Sequence, residues 1–148
     1  MLERIVAAID REPSRSQKVI AAAGELARMR DSNVLVVHVR EVERPTATMI
    51  PTARPSAAPP VFHIETEERA QELVEGAVEQ LHAAGVQAEG RVGPGSGTTA
   101  RELLDIARQY GATLIVVGDR GSQVSDLLLG SVANRILHLA DCPVLLVR

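Results

Sequence analysis

Four short apolar runs constrain this chain more than anything else in its sequence: Ile5–Ile9, Val34–Val39, Leu114–Val117 and Val144–Val147. They are continuous rather than alternating and rich in Val and Ile, the pattern of strands covered on both faces, as in a parallel sheet. Val86–Val92, broken by Gln87, Glu89 and Arg91, is a weaker fifth run.

Helical patterns fill the gaps. Ala70, Leu73, Val74, Ala77, Val78, Leu81 and Ala84 share one face, with Thr66 as N-cap and Gly85 as the stop. Ser14 with Gln17, and Thr99 with Glu102, have the spacing of capping boxes, which predicts two further helix starts. A last helix is expected over 131–140, with Ser131 as its N-cap and Val132, Ala133, Ile136 and Leu137 buried. The order is therefore βα four times, then a strand. Such alternation predicts an α/β fold: a Rossmann-like open parallel sheet of five strands, order 3-2-1-4-5, with right-handed crossovers and helices on both faces. With no internal repeat and no linker, residues 1–148 are expected to form one domain.

One stretch breaks the pattern. Between about residues 43 and 65 stand Pro45, Pro51, Pro55, Pro59 and Pro60, which exclude a regular helix or a central strand. A loop is expected there, leaving the second strand beside the first.

Composition narrows the partners. The 16 Lys+Arg against 19 Asp+Glu give a net charge of −3, which argues against nucleic acid, whose binders need a basic surface. Phe62 and Tyr110 are the only aromatics, too few for stacking platforms. The single cysteine, Cys142, excludes an intrachain disulfide and is expected to be a small buried apolar residue. No signal-peptide pattern opens the sequence, and no apolar run approaches the ~18 residues of a membrane span. A cytoplasmic protein without a membrane partner is expected.

In a doubly wound sheet a ligand sits beyond the carboxyl ends of the strands, where the strand order reverses. That point falls between the first strand, ending at Asp10, and the fourth, ending at Val117. After the fourth comes a segment bearing Gly118, Gly121, Gly130 and Ser131, which leads into the last helix. Glycines there would let the backbone approach a ligand closely, and the helix start adds open N–H groups and partial positive charge. Phosphate suits such a place. A second glycine cluster, Gly93-Pro-Gly-Ser-Gly97, follows the third strand at the sheet edge and reads as a turn and helix start. Neither cluster is followed by a Walker-type lysine, Lys18 being the only lysine in the chain. No nucleophile elbow or metal-spaced His pair is present either, so a fast catalyst is not expected. His38 reads as a hydrogen-bonded structural histidine, and Asp10 either contacts a ligand or caps the first helix.

Taken together, Ile5-Val-Ala-Ala-Ile-Asp10, Val37-His38-Val39, Leu114-Ile-Val-Val-Gly118, Gly118-x-x-Gly121, Gly130-Ser131-Val-Ala and Cys142-Pro143-Val-Leu-Leu-Val resemble the ATP-binding branch of the universal stress protein family. The resemblance implies a homodimeric, Rossmann-like protein that binds ATP and acts as a sensor or regulator. It places Asp10 against the ribose or phosphates, through a magnesium ion. It places Ala8, Ile9 and the Val39 backbone around adenine and ribose, and Gly118, Arg120, Gly121, Gly130, Ser131 and Val132 around the phosphates. Two departures stand out. Only eight residues, 122–129, separate Gly121 from Gly130 where the family pattern has nine, and Arg11-Glu12 stand where the family often has Gly-Ser. A narrower triphosphate site follows, which leaves open cyclic AMP in place of ATP, a slow ATPase or adenine-nucleotide hydrolase, or a nucleotide-free dimeric scaffold. The dimer has a physical ground of its own: 143–148 would be an apolar edge strand at the end of the sheet, which pairing with a second copy would cover.

Overall fold

The computed structural model describes residues 2–42, 64–119 and 130–148. The elements run β1 (Arg4–Ala8), α1 (Pro13–Arg30), β2 (Asn33–Val39), α2 (Glu67–Ala83), β3 (Ala88–Gly93), α3 (Thr99–Tyr110), β4 (Leu114–Gly118), α4 (Ser131–Leu139) and β5 (Val144–Val147). The strands form one five-stranded sheet in the order β3-β2-β1-β4-β5, every pair parallel, as the alternation predicts. Most of the Pro-rich stretch lies outside the described residues. At its margins Val42 and Ile64 form an isolated antiparallel bridge.

Period-two geometry explains why the runs are apolar throughout. Ile5, Ala7, Val34, Val36, Leu114 and Val116 face one layer, against α1 and α2; Val6, Leu35, Val37, Ile115 and Val117 face the other, against α3 and α4. Each central strand must therefore be apolar on both sides. The third strand starts two residues later than its run, because Val86 packs into the core from the turn and the Gln87 carbonyl accepts the Val34 N–H at 2.9 Å.

The helix starts depart from expectation in three places. Residue Glu12 caps α1 without a side-chain bond, and Ser14 Oγ instead donates to Glu12 Oε1 at 2.9 Å, so the Ser14–Gln17 capping box does not form. Thr98, not Thr99, caps α3 through its hydroxyl on Arg101 N–H, while Glu102 turns back to Ser96 N–H at 3.1 Å. Gly130 holds the N-cap position of α4, which leaves Ser131 as an exposed first-turn residue. Within α4, Ala133 and Ile136 are buried, Val132 is half-buried and Leu137 is exposed, since a short helix at the rim of the sheet covers it with a narrow stripe. Thr66 caps α2 as expected. Among the described residues no helix is long and apolar enough to cross a membrane.

Candidate functional site

Parallel pairing of β1 with β4 sets Ala8 opposite Val117, and β1 with β2 sets Ala8 opposite Val37. The carboxyl ends of three strands thus open together at the point where the strand order reverses. A crevice forms there, lined by Ala8, Ile9, Asp10, Val39, Gly118 and Val132 of the residues singled out in the sequence, together with Arg15, Val19, His38, Glu41, Thr99 and Leu103. Gly130 and Ser131 open α4 beside it. The amides of Ser131, Val132 and Ala133 precede the first helical hydrogen bond, Asn134 N–H to the Gly130 carbonyl at 2.9 Å, and so have no acceptor within the helix. Arg120 and Gly121 lie outside the described residues.

At the end of β1 the chain turns sharply, and Asp10 organises the turn. Ser16 Oγ donates to the Asp10 carbonyl at 2.8 Å and accepts the Asp10 N–H at 3.1 Å. Oδ1 of Asp10 accepts Glu12 N–H at 2.9 Å, and Oδ2 accepts Arg15 Nε at 2.6 Å. Both readings of Asp10 therefore meet in one residue: it faces the crevice and it also fixes the start of α1. The stem of Arg15 crosses the end of β4. A Cβ placed on Gly118 would fall 2.5 Å from Arg15 Cγ, so only glycine at 118 admits this crossing. The neighbouring acid, Asp119, is turned toward the last strand: its N–H donates to the Val147 carbonyl at 2.9 Å and its carboxylate lies 3.7 Å from Arg148 Nε.

The opposite wall is built on a buried polar pair. His38, 2% exposed, has Nδ1 3.1 Å from the Ile9 carbonyl and Nε2 2.7 Å from Glu65 Oε1. Glu65 is held further by its own backbone. Arg40 Nε and Nη2 donate to its carbonyl at 3.1 and 2.9 Å, and its N–H donates to the Glu41 carbonyl at 3.0 Å. Outside this pair, Arg11 Nη1 lies 3.3 Å from Glu41 Oε2 and Arg11 Nε 3.7 Å from Glu65 Oε2. Arg11, one of the two residues that depart from the family pattern, thus tethers the α1 turn to the start of α2.

The magnesium ion expected on Asp10 does not fit this arrangement. Both carboxylate oxygens accept a donor, one of them a guanidinium whose charge would repel a dication. Among the described residues no group of three His, Cys, Asp or Glu side chains could hold a metal.

Sequence reading missed Arg15, Glu65, Arg11 and Glu41. Arg15 follows Asp10 by five residues and stands one turn into a helix start, a spacing that would have suggested the pair. Glu65 gave no local signal, because its partner lies 27 residues away across the Pro-rich stretch.

These features, an open parallel α/β sheet with an aliphatic crevice at its switch point and the first turn of a helix beside it, define the class of doubly wound α/β proteins. The sequence profile of the Universal stress protein family matches residues 1–148, and the chain belongs to that family. It is 33% identical to Universal stress protein YxiE of Bacillus subtilis over 151 aligned residues, covering 100% of each chain. Its fold is similar to that of a universal stress protein from Archaeoglobus fulgidus, with a TM-score of 0.71 at 26% identity, covering 99% of this chain and 93% of that one. It is also similar to the structure of the universal stress protein from the same organism in complex with dAMP, with a TM-score of 0.68 at 24% identity, covering 100% of this chain and 98% of that one.

Proposed function

We propose that this chain is a cytoplasmic adenine-nucleotide-binding protein of the stress response, with ATP as its ligand, working as a sensor or regulator. The observation that carries the reading is the convergence of β1 and β4, which brings the aliphatic Ala8, Ile9, Val39 and Val132 and the open first-turn amides of α4 to a single crevice. Aliphatic walls suit a purine, and helix amides suit phosphate. The dAMP in the similar archaeal protein supports the same ligand class. In this reading Ala8, Ile9 and the Val39 backbone surround adenine and ribose, Asp10 faces the ribose or phosphates, and Gly118, Arg120, Gly121, Gly130, Ser131 and Val132 take the phosphates. Two copies pair through 143–148.

The proposal of regulation rather than rapid chemistry draws on the described lining of the crevice. Its described lining contains no lysine, and its one histidine is committed to Ile9 and Glu65. Mass spectrometry of ligand released from freshly purified protein, with calorimetric titration of ATP, AMP and cyclic AMP, tests the reading. Co-purified or titratable adenine nucleotide is expected. Protein that carries none and binds none is a scaffold, and the reading fails. Single-turnover hydrolysis that Asp10→Ala abolishes while binding persists would replace the sensor with an enzyme.

A further inference from the structure

We infer that Arg15 takes the place of a divalent ion in this crevice: its guanidinium, pinned by Asp10, is the cation that meets the nucleotide's phosphate, so binding needs no magnesium. The inference rests on the nucleotide reading above and specifies its phosphate end.

Three observations converge. First, both oxygens of Asp10 already accept a donor, Oδ1 from Glu12 N–H at 2.9 Å and Oδ2 from Arg15 Nε at 2.6 Å. A divalent ion on this carboxylate would sit against the guanidinium, whose charge repels it. Second, Arg15 spends only Nε on Asp10, and no hydrogen bond from its two terminal nitrogens is found among the described residues. The side chain is 21% exposed and lines the crevice, and Arg15 is the only Arg or Lys among the described lining residues. Third, the approach is built for this side chain: Gly118 has no Cβ to block the stem, which crosses from α1 over the end of β4. The guanidinium is thereby stationed between the ends of β1 and β4, in the crevice that Val132 and Ala133 of α4 also line. The remaining charges near it are committed elsewhere. Arg11 pairs with Glu41 and Glu65, His38 with Glu65, and Asp119 with Arg148. A guanidinium presenting two donors side by side matches a phosphate edge, whereas an ammonium would supply a point charge alone. Asp10 is then a positioning residue that acts through Arg15.

The test is calorimetric titration of ATP, AMP and adenosine against the full chain, in EDTA and in excess magnesium, for the wild type, Arg15→Gln and Asp10→Asn. Thermal unfolding and circular dichroism verify that each variant is folded. The wild type is expected to bind ATP within about threefold as tightly in EDTA as in magnesium. Arg15→Gln should weaken ATP and AMP by at least about tenfold and leave adenosine unchanged, the loss expected for a charged hydrogen bond to phosphate. Asp10→Asn should hold or tighten ATP in EDTA, because the amide oxygen still accepts Arg15 Nε and keeps the guanidinium in place while the opposing negative charge is gone. Magnesium-dependent binding that Asp10→Asn abolishes and Arg15→Gln spares would overturn the inference while leaving nucleotide binding intact. Should Arg15→Gln not fold, Asp10→Asn and the EDTA comparison still decide. A wild type that binds no adenine nucleotide under either condition refutes the nucleotide reading itself, and the role of Arg15 with it.

Discussion

His38 and Glu65 form a buried pair with Nε2 and Oε1 2.7 Å apart, and their side chains are 2% and 5% exposed. The Ile9 carbonyl can only accept, so Nδ1 of His38 is the donor in that contact. The pair joins the end of β2 to the residue before the α2 N-cap, so it anchors the far side of the Pro-rich stretch to the crevice wall.

Removing one member strands the other. Glu65→Leu is expected to destabilise the fold by about 3–5 kcal/mol, because a buried ring nitrogen loses its only partner. His38→Leu with Glu65→Leu together should cost clearly less than the two single changes added, since neither member is then left buried without the other. Urea unfolding of the four proteins measures the coupling. Additive costs would mean that the two side chains contribute independently.

The parts of this molecule that could be read without coordinates are those whose signal is local and repeated. Ile5, Val34 and Leu114 each open a run long enough to cross the sheet, and the alternation with helices left one natural strand order. The crevice was legible for the same reason, since Asp10 and Gly118 end neighbouring strands. What escaped depends on long-range or competing contacts. Glu65 is tied to His38 across 27 residues that include the Pro-rich stretch, and no periodicity records that. Thr98 displaced Thr99 as the α3 cap, and Gly130 displaced Ser131 at α4, because adjacent residues can each supply a helix start and packing chooses between them. The role of Arg15 required knowing that Gly118 clears its path.

Stability should fall at alkaline pH for a reason visible at the sheet's other end. Burial, with help from Glu89, raises the Tyr110 phenol above its ordinary 10.0, while Arg4 pulls the other way. Burial and then Asp141 raise the Cys142 thiol above its ordinary 9.0. Both are acids held protonated longer in the folded chain than in the unfolded one. Above each ordinary value the unfolded chain therefore binds fewer protons, and unfolding becomes easier as pH climbs through the folded values. This contribution is fully present below the ordinary values, and is lost as pH rises from the thiol's ordinary 9.0 upward through the folded values. Urea midpoints followed from neutral to strongly alkaline pH should decline. The decline should be shallower in a Tyr110→Phe, Cys142→Ala double variant. An unchanged slope in that variant would assign alkaline loss to other groups.

The last prediction concerns the edge of the sheet. β5 is terminal in the strand order, and no strand pairs with its outer side among the described residues. The carbonyls of Pro143 and Val147 face β4, accepting from Ile115 at 3.0 Å and Asp119 at 2.9 Å. Hydrogen-bonding direction alternates along a strand, so the N–H and C=O groups of Val144 and Leu146 point to the open side. Leu145 is 38% exposed on the same strand, an apolar residue at an unpaired edge. An antiparallel pairing of two such strands about a two-fold axis would satisfy the outward groups and cover Leu145. Sedimentation at tens of micromolar should therefore show a dimer. Leu145→Lys brings two ammonium groups together across the axis, where like charges opposite one another repel, and should shift the population to monomer with the fold intact. A wild type that sediments only as monomer, or a Leu145→Lys variant that dimerises as tightly as the wild type, would exclude this edge as the contact between copies.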